Sequence, residues 1–371
     1  MSHHVRFSTS MISAMAAILA SFPASTPVRA EDGPHFVKTP LVSNVPGVAA
    51  NTDAKLVNPW GVSFLPGGPF WVSDNGTGVS TIYGADGSKI PLIVVVPGPK
   101  ATPGAVSSPT GQVANSTSDF LIPSNPAPAP ALFIFATEDG TISAWNRAQT
   151  DPTKAVLMVD NSATGAVYKG LASGTSTAGN FLFATNFRSG KVEVYDANFK
   201  PVAMPANAFM DPELPASYAP FGIANVNGDL FVTYALQDAQ KHDEVPGPGK
   251  GFVDVFSTSG VLLRRLHGGR ALNAPWGVTL APVGFGAFGG KVLVGNFGDG
   301  HISVFSPTGH FEGQLGADEN HALAIDGLWA LTFAADGRKT NPDTLYYAAG
   351  VNGEKNGEFG EIVQAHYQQD R

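Results

Sequence analysis

The stretch "VLVGNFGDGHISVFSPTGHFEGQL" (292–315) restates "FLFATNFRSGKVEVYDANFKPV" (181–202). Each copy has an alternating apolar run, an Asn-Phe pair (Asn186-Phe187, Asn296-Phe297), a glycine turn (Gly190; Gly298 and Gly300) and a second alternating run. Period-2 runs parted by Gly, Asn and Asp predict neighbouring antiparallel strands. The copies are therefore units of a repeat, which limits the fold to architectures in which one sheet is restated until its faces are covered.

Further units fall at a regular interval. A strand-opening anchor occurs as "NPWGVSF" (58–64), "SPTGQVA" (108–114), "VYKGLAS" (167–173), "APFGIAN" (219–225), "APWGVTL" (274–280) and "IDGLWALTF" (325–333). Taking Gly61, Gly111, Gly170, Gly222, Gly277 and Gly327 as markers, the steps are roughly 50 to 60 residues, near the length of a propeller blade. A second and a third apolar run follow each anchor, and several units show a fourth, such as "PLIVVV" (91–96) and "AVLMVD" (155–160). The fold expected is all-β: a six-bladed β-propeller of four-stranded antiparallel blades opening near 58, 108, 167, 219, 274 and 325. The last unit is cut short, so the segment "FVKTPLVSNVPG" (36–47) is expected to supply its outer strand and close the ring.

The first 30 residues read as a secretory signal: a basic start at Arg6, an apolar stretch from Met11 to Phe22, and Val28-Arg29-Ala30 with cleavage after Ala30. Residues 31–371 then form one propeller domain, secreted or periplasmic and expected to be a monomer. No later segment offers about 18 apolar residues in a row, so no transmembrane segment is predicted. The chain has no cysteine, and its stability must come from its core. Its formal charge is −8, and loss of Arg6 and Arg29 makes the remainder two units more negative. Such a surface argues against nucleic-acid partners. The stretches 122–133 and 235–252 break the repeat and read as surface loops. The second gathers Lys241, His242, Asp243 and Glu244, as a solvated loop or as a lid over a site.

The stretches "NPWGV", "VYKGLA", "NFLFATNF", "KHDEVPGPGKGFVDVF", "LNAPWGV", "APVGFGAFGGKVLVGNFGDG" and "IDGLWALTF" resemble an exported, largely uncharacterised bacterial family grouped with the NHL-type six-bladed propellers. The resemblance covers almost all of the mature chain. It implies the propeller fold and brings no catalytic residues. It further implies that the anchors form the innermost strands, and that the loops entering them share one face with the loops after the second strands. On that face the candidate ligand-binding residues are Asn58, Trp60, Asn75, Lys169, Tyr234, Trp276 and Trp329. Large aromatic rings at these positions can equally plug the channel.

Glu138, Asn186, Asn296 and Asp326 supply oxygen donors from four units, the hard set that calcium prefers. Calcium-dependent six-bladed lactonases use a comparable ring, with a Pro-Asn-Gly anchor where this chain has Trp60, Thr110, Lys169, Phe221 and Trp276. Asn and Asp also recur in turns because they cap backbone groups. The histidines are scattered, and no HExxH, nucleophile elbow or complete phosphate loop occurs. The leading reading is a secreted module that binds a small molecule, glycan or protein on the central-channel face. The alternative is a calcium-dependent lactonase- or esterase-type hydrolase, and a third is an interaction scaffold using the 235–252 loop.

Overall fold

The computed structural model describes residues 1, 35–318, 320–334 and 341–365, so the expected signal segment lies, Met1 aside, outside the described residues. The chain divides into Met1–Gly33 and a compact unit Pro34–Arg371, and the fold is that of the second. Among the described residues the regular elements are strands and three short 3-10 turns, and no helix is long and apolar enough to cross a membrane.

Six antiparallel sheets radiate from a channel. Their innermost strands are Pro59–Ser63, Pro109–Ala114, Tyr168–Ser176, Tyr218–Val226, Pro275–Leu280 and Leu328–Phe333, opening blades 1 to 6. Each inner strand touches the next and the sixth touches the first, which closes a six-bladed β-propeller. Glycine allows this approach: a Cβ on Gly61 would lie 2.6 Å from the Thr110 carbonyl. Gly111, Gly170, Gly222 and Gly277 hold the same place against the following blade.

In blade 6 that place belongs to Ala330, because Leu328 and Leu331 pair with Ala349 and Tyr347 as Pro275 and Val278 pair with Asn296 and Val294. Gly327, the marker suggested by the sequence, is three residues early. It is the counterpart of Asn58 and Ala274, and all three have positive φ (63°, 48° and 43°) where the chain turns into its strand.

Apolar residues alternate along each strand into the two neighbouring seams. Phe70 and Val72 join Tyr346 and Phe359 between blades 6 and 1, whereas Trp71 packs with Phe133 and Trp145 between blades 1 and 2. Both faces of a blade are thus buried, which is why the sequence must repeat. Blade 3 has three full strands, Tyr168–Ser176, Gly179–Asn186 and Lys191–Tyr195. Its fourth edge is a bridge from Tyr195 to Pro201 and a bond from Val202 N to Val194 O. Pro201 and Pro205 cannot donate to a longer ladder.

The ring is sealed as expected. Phe36–Ser43 pairs antiparallel with Glu358–Gln364, with a bulge between Pro40 and Val42. Phe36 is wholly buried and packs at 5.1 and 5.9 Å from Phe285 and Phe288 of blade 5. Of the two insertions, 122–133 joins Leu121 in a small ladder, Leu121–Ile122 with Ala129–Pro130, and its last residue, Phe133, begins the buried strand Phe133–Thr137 instead of lying in a surface loop. The other folds back on itself through a Gln237–Glu244 bridge and a bond from Asp238 N to Asp243 O.

Candidate functional site

The start of each inner strand lies beside the loop that follows the second strand of its own blade: Pro59 is opposite Asp74, and Pro275 opposite Asn296. These loops build one end of the channel. Just inside it, three indoles at the same position of blades 1, 5 and 6 close the bore. Trp60 stacks on Trp329 with centroids 3.5 Å apart, and Trp276 meets them edge-on at 6.0 and 5.8 Å. Phe221 and Phe297 extend the layer. Burial of such rings against one another stabilises the bore and leaves them few free faces.

The counterpart of these tryptophans in blade 3 is Lys169. Its side chain is 1% exposed, and its ammonium donates to Glu138 Oε1 (2.5 Å) and Asp243 Oδ1 (3.2 Å). It also lies 5.1 Å from the Trp60 ring centre. The other carboxylate oxygen of Glu138 accepts from Asn75 (2.9 Å). Asn58 donates to Asn75 (3.3 Å) and Glu354 (3.0 Å), and its carbonyl accepts the Trp329 indole N–H (3.1 Å). Trp276 N–H donates to the Lys169 carbonyl (3.1 Å). One connected network therefore joins the loop end to the aromatic layer.

Burial alone would lower the pKa of Lys169, but Glu138, Glu244 and Asp243 outweigh it and hold the ammonium charged, above its ordinary range. Burial pushes Glu244 up to about 7 against the opposing pull of Lys169. Burial would raise Asp243, yet Lys169 and His242 hold it low, whereas burial raises Asp139 and Glu354.

Of the candidate ligand-binding residues, the structure brings together Asn58, Trp60, Asn75, Lys169, Trp276 and Trp329. Tyr234 lies elsewhere, buried in the seam between blades 3 and 4 with Phe183 and Phe256. Of the candidate metal donors, Glu138 is in the network. Asn186 accepts from Val167 N and Ser189 N and donates to Glu193. Asn296 accepts from Asn273 N and donates to the Ala271 carbonyl, and Asp326 accepts from Asn352 N. These three cap local backbone groups of their own blades.

Ligand atoms of Glu138, His242 and Asp243 lie within 4.8 Å of one another. The ammonium of Lys169 already bonds two of these carboxylates, so the cluster suits a tethered organic cation rather than calcium. Sequence selection omitted Glu354, although the repeat itself supplies a sixth loop after Ala349, between Leu345–Ala349 and Glu358–Gln364.

Beyond the aromatic layer the channel opens the other way. A cavity of about 620 Å³ is walled by the second halves of the inner strands of all six blades, with Trp276 at its inner end. This cavity and the charged cluster are therefore on opposite sides of the tryptophans.

Two proteins of Acanthamoeba polyphaga mimivirus are similar along most of this chain. Uncharacterized protein R648 is 30% identical over 329 residues, 87% of this chain and 79% of its own. The chain belongs to the family of this viral protein. A second relative, uncharacterized protein L690, is 31% identical over 330 residues, 87% of this chain and 84% of that protein. These relatives are viral, so a bacterial family draws no support from them. No family model matches. Among solved structures, a streptogramin B lyase superposes with a TM-score of 0.53 at 13% identity, covering 90% of this chain and 98% of the lyase. That likeness concerns the fold.

Proposed function

We propose that this propeller is a non-catalytic binding module that takes a small molecule in the open half of its central channel. The cavity of about 620 Å³ carries the proposal, because its size and its mixed apolar and polar strand walls suit one small ligand. The loop end favoured by the sequence is filled by its own tryptophans and Lys169. It therefore offers rim contacts to a protein or glycan rather than a pocket. The test is a thermal-shift screen of uncharged small molecules against the natural protein and Ser173→Phe, which adds a ring to the cavity wall. Ligands that stabilise only the natural protein support the reading. Ligands that stabilise both equally refute the channel as the site.

The rival reading, a calcium-dependent hydrolase, draws on the proximity of Glu138, His242 and Asp243. It would require a divalent cation to displace the buried Lys169 ammonium from its two carboxylates.

Action outside the cytoplasm, secreted or periplasmic, is a further part of the proposal. It is supported by Arg6, the apolar run 11–22 and Val28-Arg29-Ala30. Intact mass of exported protein should place its first residue at Glu31, and a mature chain retaining residues 1–30 would refute it.

A further inference from the structure

We infer that the ligand of the channel cavity is an uncharged, two-sided molecule, apolar along one side and carrying hydrogen-bonding groups along the other. This rests on the binding reading above and adds the chemistry of the occupant.

Among the described residues the cavity wall contains no acidic, basic, histidine or tyrosine side chain, although six separate blades contribute to it. A charged group drawn off water here would meet no counter-charge among the described residues, and that desolvation goes uncompensated.

At one level the wall is also divided, although Gln112, Ser173, Asn225 and Asn227 add polar groups on blades 2 to 4. At one register of the inner strands, opposite Trp71, Ile134, Phe183, Phe231, Leu293 and Tyr346, stand Ser63, Val113, Ala172, Ala224, Thr279 and Thr332 in blades 1 to 6. Blades 5, 6 and 1 adjoin one another around the ring, so the three hydroxyls form one arc. Blades 2, 3 and 4 complete the circle with methyl and isopropyl groups. Thr279 and Thr332 are half-buried, and their hydroxyls bond no other group among the described residues. Ser63 Oγ accepts from Gln112 Nε2 (3.1 Å), which leaves its own proton to donate. The amides of Gln112 and Asn225 are by contrast already bonded, to Trp71 and Ser173 carbonyls. Hydroxyls both donate and accept, so the arc matches carbonyl, ether or hydroxyl groups on a neutral ligand.

The probes are three fused-ring dyes of similar size: neutral prodan, with a ketone acceptor, anionic anilinonaphthalene sulfonate and cationic dansylcadaverine. Each is titrated into the full chain by its own emission and by energy transfer from tryptophan. Prodan should bind at least about tenfold tighter than either charged dye, and Ser173→Phe should abolish its binding. The double variant Thr279→Val, Thr332→Val should weaken prodan roughly two- to tenfold with an unchanged urea unfolding curve. A charged dye that binds the channel as tightly as prodan overturns the inference while leaving the binding reading intact. Unchanged prodan affinity in the valine pair overturns the role of the hydroxyl arc. If none of the three dyes binds, or Ser173→Phe leaves their binding unaltered, the binding reading falls and takes the inference with it.

Discussion

Lys169→Met tests the account of the loop end most directly. Methionine keeps an unbranched apolar stem against Trp60 and Phe187 and deletes the ammonium that bridges Glu138 and Asp243. Asp243 is 63% exposed and can rehydrate, so that contact contributes about 0–1 kcal/mol. Glu138 is only 13% exposed and would be left as a nearly buried charge, a loss of about 3–5 kcal/mol. Urea unfolding followed by tryptophan fluorescence should therefore show a destabilisation of about 3–5 kcal/mol at pH 8. Glu138→Gln alone leaves the buried ammonium bonded only to the exposed Asp243, whereas the double variant removes both charges of the buried pair. It should therefore lose less than the sum of the single variants by about 2 kcal/mol or more. A Lys169→Met loss below about 1 kcal/mol, or additive single variants, would refute the reasoning.

Three further outcomes follow from the same geometry. Glu244 is raised from an ordinary 4.5 to about 7, so the folded state holds a proton that the unfolded chain releases. Its stabilisation is complete below about 4.5 and is lost as pH rises through 7. The urea midpoint should thus be lower at pH 8 than at pH 5, and Glu244→Gln should reduce that difference; an unchanged difference would count against the burial of Glu244. Phe36→Ala at the ring seam should cost about 3–5 kcal/mol in urea unfolding, and a loss below about 1 kcal/mol would show that the seam does not stabilise the ring. Millimolar calcium, compared with EDTA, should move the melting temperature by less than about 1 °C. A larger rise would show that a cation displaces Lys169.

Much of the fold was legible because a propeller blade writes its constraints locally. Alternation in "FWVSD" and "LFIFATEDG" reflects two buried faces, and the truncated last unit pointed to the segment 36–47, of which Phe36–Ser43 forms the strand. The offset at Gly327 arose because glycine has two uses in this repeat. At Gly61 it admits the neighbouring strand, and at Gly327 it turns the chain with positive φ. Residue type alone does not separate those demands, but strand register does.

The site was legible in part for a related reason. Position within the repeat gathered Asn58, Asn75, Glu138, Lys169 and the three tryptophans at one end. It could not show which of them face one another. Tyr234 occupies the repeat position of Asp74 and Asn296 yet turns into a seam, because the volume available between blades 3 and 4 accepts its ring. Glu354 and Asp243 reach the network from loops far apart in sequence.

The sequence by itself determined the number of blades, their strand order and the closing strand, because each follows from local periodicity and from edges that must be covered. Only the tertiary structure decided that the tryptophans stack into a plug, that Lys169 fills the acidic cluster, and that the open cavity lies at the other end. Those outcomes depend on how six side chains at one level share a single narrow bore, a packing relation that no one repeat contains.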